Sequence, residues 1–241
     1  ALAAAGAAAV YFLAEGLVQV RVDEGALDAE IANRGAIRAD GGAVLLTARA
    51  RDSLGRAVVS TSGIIEARSV ENVNGVIRLS GSEVRLETGS VTSASGAKGG
   101  SISIESAAGL TQLAGTIDAK GEGGSGGAVT VKADALINTG LTDASGAAGG
   151  SIAIEANRYL GAGTLKASGT AGDGGSVSLL AHEYIIQTSA ESLAADGGAS
   201  GRGGIVSVQA AERVFSSASL RTSPTQVCRS HSVGSKEVPM R

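Results

Sequence analysis

Aromatic side chains are nearly missing from this sequence. Its 241 residues include no Trp, 3 Tyr and 2 Phe, at Tyr11, Phe12, Tyr159, Tyr184 and Phe215. The rings that dominate ordinary globular cores are not available, and five scattered rings do not make the stacking platform of a saccharide-cleaving groove. Cysteine occurs once, as Cys228, which excludes an intrachain disulfide and leaves an incidental thiol without a base partner. Histidine occurs twice, as His182 and His231, in unrelated contexts, so a zinc site or a Ser-His-Asp triad finds no support. There is no excess of either charge: 20 Lys+Arg against 23 Asp+Glu give a net charge of −3. Without a basic stripe, nucleic-acid binding has no electrostatic driving force. A long apolar run is also missing. The opening "ALAAAGAAAVYFLA" is too short for a membrane-spanning helix of about 17–25 residues. It lacks an initiating Met and basic flank, so it reads as the interior of a longer chain in preference to the apolar part of a signal peptide.

What the chain has instead is glycine, 37 residues of it, and small aliphatics that bring the apolar content to 43%. Disordered chains are poorer in aliphatics and richer in net charge, so this composition folds. The two types are arranged in a repeat. "GSVTSASGAKGGSISIES" (89–106), "GTIDAKGEGGSGGAVTVKA" (115–133) and "GLTDASGAAGGSIAIEA" (140–156) share one pattern. After Gly42, Gly75, Gly100, Gly127, Gly150, Gly175 and Gly204, the second and fourth residues are aliphatic in all seven copies. The second-position series is Val44, Ile77, Ile102, Val129, Ile152, Val177 and Val206. The fourth is Leu46, Leu79, Ile104, Val131, Ile154, Leu179 and Val208. A period of two with β-branched residues predicts seven short strands, each showing one face to a core.

A second set of strands precedes these, with Ile37, Ile65, Val91, Ile117, Thr142, Leu165 and Leu193 expected to point inward. Starts at 35, 63, 89, 115, 140, 163 and 191 are spaced 28, 26, 26, 25, 23 and 28 residues apart. A weaker apolar patch closes most units: Val84/Leu86, Leu110/Leu113, Ile137, Tyr159/Leu160, Ile185/Ile186 and Val214/Phe215. A unit this short cannot bury its apolar side alone, but stacked on copies of itself it can. Leucine-rich repeats need a Leu/Asn spacing that is missing, and no 3.6-residue period supports helical repeats. The expectation is an all-β fold, a single-stranded right-handed parallel β-helix of about 7–9 coils with 23–28 residues per coil. At about 4.8 Å per coil it makes a rod about 35–45 Å long. Glycine pairs are expected at the turns, where they supply positive φ. By domain, 1–34 are lead-in strands, 35–222 the β-helix repeats and 223–241 an irregular or disordered tail.

The stretches "LVQVRVDEGALDAEIANRGAIRADGGAVLLTARA" (17–50) and "VVSTSGIIEARSVENVNGVIRL" (58–79) closely resemble the β-helical exoproteins of bacterial two-partner secretion, the filamentous-haemagglutinin type. The resemblance spans about residues 10–218. It implies a secreted protein displayed on, or released from, the surface of a Gram-negative bacterium. Its partners would be an outer-membrane transporter during export and, afterwards, host-cell or bacterial surface glycans or proteins. The family's Asn-Pro-Asn secretion motifs are missing here, since the only prolines are Pro224 and Pro239. The chain is therefore expected to be an internal segment, and no functional residue of the family transfers to it.

Three features are candidate sites. Glu105, Lys132 and Glu155 follow the same Gly pair at the fifth position and predict an outward charge ladder. Asp118 and Asp143 are expected to stack beside Lys166, a pair of carboxylates with too few further oxygens for Ca²⁺. "GAKGGS" (96–101) has the glycines of a phosphate loop but opens a strand where a P-loop opens a helix. The Ca²⁺-binding nonapeptide "GGxGxDxUx" is not present, the period being wrong. No catalytic, cofactor-binding or metal residue is assigned, and no cofactor or membrane span is expected. The favoured function is an adhesive rod without enzymatic activity. The alternatives are a polysaccharide-degrading β-helix enzyme and a passive stalk that presents a toxin or binding tip.

Overall fold

A computed structural model describes residues 8–13, 17–22, 28–48, 56–69, 74–222 and 228–232, with side chains at 30–48, 57–69 and 74–222. Among these residues there is no helix. The chain winds as a parallel β-solenoid of about seven turns with three faces. The first face follows the Gly pairs: Leu17–Val22, Ala43–Thr47, Val76–Gly81, Ser101–Ser106, the first halves of Ala128–Asn138, Ser151–Gly161 and Ser176–Gln187, then Ile205–Ala210 and Cys228–Ser232. The second face holds Asp28–Asn33, Arg56–Thr61, Glu83–Leu86, Leu110–Leu113, the second halves of the three long strands, and Arg213–Ser216. Both belong to one 15-stranded sheet. The third face is an 8-stranded sheet of three-residue strands: Ala36–Arg38, Ile64–Glu66, Val91–Ser93, Thr116–Asp118, Leu141–Asp143, Thr164–Lys166, Ser192–Ala194 and Ser219–Arg221. At the start, Ala8–Leu13 pairs antiparallel with Leu17–Val22. Of the tail expected over 223–241, Cys228–Ser232 pairs parallel with Val206–Ala210; the rest lies outside the described residues.

The register explains the core. Val44, Ile77, Ile102, Val129, Ile152, Val177 and Val206 are direct partners from coil to coil, as are Leu46, Leu79, Ile104, Val131, Ile154, Leu179 and Val208. All fourteen are buried. Branched aliphatic side chains shelved at the strand spacing make a continuous apolar column, and each coil supplies the buried surface of its neighbours.

On the third face the expected series is corrected at one place. Thr92, not Val91, pairs with Ile65 and Ile117, and it is fully buried while Val91 is only half-buried. The cause is the turn ahead of it. Gly89 has φ +86° and Ser90 N–H bonds to Glu87 O at 3.0 Å, so Ser90 takes the ladder position that Gly63 and Gly115 hold in adjacent coils. The extra turn residue moves the strand by one, and a one-residue slip exchanges inside for outside. With that shift the following corner becomes uniform: Ala39, Ala67, Ala94, Ala119, Ala144, Ala167 and Ala195 are all buried.

The reason expected for the Gly pairs holds at Gly41 and Gly42, where Gly41 has φ +69°, and is corrected at the others: among the described residues the remaining positive-φ glycines are Gly89 and Gly109, neither of them in the stacked corner column. There the constraint is contact between backbones. A Cβ on Gly127 would overlap the carbonyl oxygen of Gly100, and one on Gly150 that of Gly127. Those carbonyls are engaged: Ala128 N–H donates to Gly100 O at 3.0 Å and Ser151 N–H to Gly127 O at 2.9 Å. Within each coil the corner is closed by bonds such as Gly150 N–H to Ala144 O at 2.8 Å. Glycine is required because the coils approach too closely for a side chain.

The second face departs most from expectation. Tyr159/Leu160 and Ile185/Ile186 are consecutive residues, so alternation lets only one of each pair point inward. Val84, Leu113, Leu136, Tyr159 and Ile185 are buried, whereas Leu110, Leu160, Ile186 and Phe215 are exposed.

Candidate functional site

Three groups of side chains stand out. The first lies at the corner between the first and second faces. Glu105, Lys132 and Glu155 are register partners as expected, and Leu180 continues the column. Lys132 Nζ is 3.3 Å from Glu155 Oε2, but Glu105 turns to Ser103 Oγ at 3.5 Å. His182 Nε2 lies 3.1 Å from Glu155 Oε1. It gets there through a bulge: the pairing shifts between Ala156 and Arg158, so His182 and Glu183 together oppose Asn157. The hydrogen bond to His182, followed by Lys132, holds the Glu155 carboxyl below its usual range. Beside it, Asp134 accepts from Asn157 Nδ2 at 2.8 Å and from Arg158 Nη2 at 3.0 Å. Lys132, Asp134, Glu155, Asn157 and His182 line one shallow polar depression. Its carboxylates are occupied by these partners, and exposed pairs of this kind contribute little to stability.

On the third face Asp118, Asp143 and Lys166 stack in register, as expected. Each carboxylate turns back on its own chain: Asp118 Oδ1 accepts from Lys120 N–H at 3.0 Å, and Asp143 Oδ1 from Ser145 N–H at 2.9 Å. They act as turn closures. Among the described residues no three His, Cys, Asp or Glu side chains converge on a common point. "GAKGGS" leads into the strand Ser101–Ser106. The side chains of Tyr11, Phe12, Cys228 and His231 lie outside the described residues.

The second group is the outward column of the second face. Gln112, Ile137, Leu160, Ile186 and Phe215 are successive register partners. Leu160, Ile186 and Phe215 are 37%, 39% and 56% exposed. The neighbouring column is Ala135, Arg158, Tyr184 and Arg213. This apolar stripe edged by arginines was not expected from the sequence, although its signal was present: adjacent aliphatic pairs cannot both be core in a strand.

The third group is inside the tube. Glu191, at the turn into the third face, is 0% exposed and receives the hydroxyl of the buried Tyr159. Asn138 Nδ2 donates to the same Tyr159 oxygen at 3.3 Å. Burial raises the Glu191 carboxyl above its usual range, against the hydrogen bond from Tyr159 and the nearby amides of Gln187 and Asn138. Burial, and then the Glu191 charge, push the Tyr159 phenol well above its ordinary value.

No family model matches this chain, and neither curated proteins nor solved structures give a match.

Proposed function

We propose that the chain is a rod segment of a secreted adhesin of the filamentous-haemagglutinin type, displayed on the surface of a Gram-negative bacterium and exported through a two-partner outer-membrane transporter. The observation that carries this reading is the outward column of half-buried Ile137 and exposed Leu160, Ile186 and Phe215 on a solenoid. Residues on four successive coils, spaced by about 4.8 Å, offer a linear contact surface. Exposed apolar stripes with polar rims mark interaction sites. The rod fixes the spacing; the outward columns supply the contacts with surface glycans or proteins.

Purified rods are expected to bind cells or immobilised glycans saturably while leaving the ligand unchanged. A folded, longer chain that binds no cell, matrix or glycan surface contradicts an adhesive role and leaves the stalk. Release of unsaturated or reducing ends from pectins or other polyuronates would establish the enzymatic alternative.

A further inference from the structure

The corner between the second and third faces carries an inward column of Asn33, Thr61, Leu86, Leu113, Asn138, Gly161 and Gln187. At its first rungs every polar atom of the asparagine is used. Asn33 Nδ2 donates to Thr61 Oγ1 and to Ile64 O, each at 3.2 Å, and Asn33 Oδ1 accepts from Gly35 N–H at 3.2 Å. The later rungs do not balance in the same way. Asn138 Oδ1, both polar atoms of the Gln187 amide and Glu191 Oε2 are buried without a partner. Gly161 leaves its rung empty of side chain, and the Glu191 carboxyl fills that space.

Donors and acceptors can be counted for each state of Glu191. As a carboxylate it leaves three bare acceptors, namely its own Oε2, Asn138 Oδ1 and Gln187 Oε1, against the two N–H donors of the bare Gln187 amide nitrogen and the bare hydroxyl of Thr188 in the same turn, all of them neutral. Among the described residues the side chains facing it are Tyr159 from Ser151–Gly161, Asn138 from Ala128–Asn138 and Gln187 from Ser176–Gln187. Ser219, from the following coil, reaches only the Glu191 carbonyl. Tyr159 is the one titratable group in this set, and no cation offsets a buried negative charge, which is costly in such a setting. A proton on Oε2 removes the charge and turns a bare acceptor into a donor for an amide oxygen.

We infer that Glu191 is held inside the tube as a neutral carboxylic acid, Oε1 accepting from Tyr159 and Oε2–H directed at the amide oxygens of Asn138 and Gln187, so that closure of this coil depends on protonation. Loss of the proton to solvent leaves one unpaired carboxylate in the core. Because the acid is favoured in the folded chain, its contribution is complete below the ordinary carboxyl value of about 4.3. It is lost as pH rises through the higher folded value.

The test is carboxyl carbon-13 NMR on the full chain labelled at glutamate, with Glu191 assigned by the resonance missing from Glu191→Gln. A Glu191 resonance that titrates above the ordinary value is expected; one at or below it overturns the inference. Glu191→Gln keeps the shape of the neutral acid, so its melting temperature should lack the decline that the native chain shows across that window. Parallel profiles for the two proteins overturn it. So does a melting temperature that rises with sodium chloride relative to choline chloride at equal ionic strength in the native chain alone, because a cation would then occupy the site in place of the proton.

Discussion

Glu191 and Gly161 share one space: a Cβ on Gly161 would fall within the carboxyl of Glu191, which reaches there from 30 residues further along the chain. A glycine on an inward column is thus the counterpart of a buried acid at the same corner one coil on. Gly161→Ala is expected to destabilise the protein by about 1–3 kcal/mol, the cost of overpacking. Combining it with Glu191→Ala should recover part of that loss. Urea denaturation of the two single variants and the double variant measures the coupling.

Thr92 leaves its hydroxyl buried without a partner in a column otherwise built of Ile65 and Ile117 on either side. Thr92→Val keeps the shape and removes the unsatisfied group, so it should raise stability by about 1 kcal/mol. Val91→Thr, on the half-buried outward side, should change it little. A thermal melt of each variant separates the observed register from the one read off the sequence.

The corner glycines differ from those in the loops. Gly127→Ala and Gly150→Ala drive a methyl group into the carbonyl of the preceding coil and should each cost at least about 2 kcal/mol. Gly123, four residues before Gly127, has no atom near its Cβ position and no positive φ, so Gly123→Ala should be close to neutral. Equal losses at Gly123 and Gly127 in chemical denaturation would contradict the close-contact explanation.

If adhesion uses the apolar stripe, Ile186→Ser and Phe215→Ser should weaken cell or glycan binding and change stability only by the amount usual for surface substitutions, about 0.5 kcal/mol. Thr130→Ala on the first face should leave binding unchanged. Surface-plasmon binding alongside thermal melts checks both.

How far the sequence could be read depended on the repeat's regularity. The seven strands of the first face from Ala43–Thr47 to Ile205–Ala210 were legible because the second and fourth positions after their Gly hold nothing but Val, Ile and Leu; the strand Cys228–Ser232, which has no such Gly, was not. The third face slipped by one at Val91 because β-branched character was matched and the added turn residue at Gly89 was not. The uniform alanine column through Ala94 held the information needed to place it. The second face was the least legible. Its inward positions mix Leu136 with Thr111 and Tyr159, and its outward positions hold Leu160 and Ile186, so hydrophobicity alone does not say which side is core. Glu191 stood in plain view at a position that is Gly in most coils; only packing against Tyr159 and Gly161 gives it a meaning.

The central claim is that coils stack in parallel and in register, with Ile102, Val129 and Ile152 shelved one above another in a closed interior. Methyl–methyl nuclear Overhauser contacts on a chain labelled at Ile, Leu and Val test it most directly. Strong contacts from Ile102 to Val129 and from Val129 to Ile152 are predicted, with none between Ile102 and Ile152, two coils and about 10 Å apart. Absence of both neighbouring contacts, together with rapid solvent exchange of the amides at 102, 129 and 152, would contradict it.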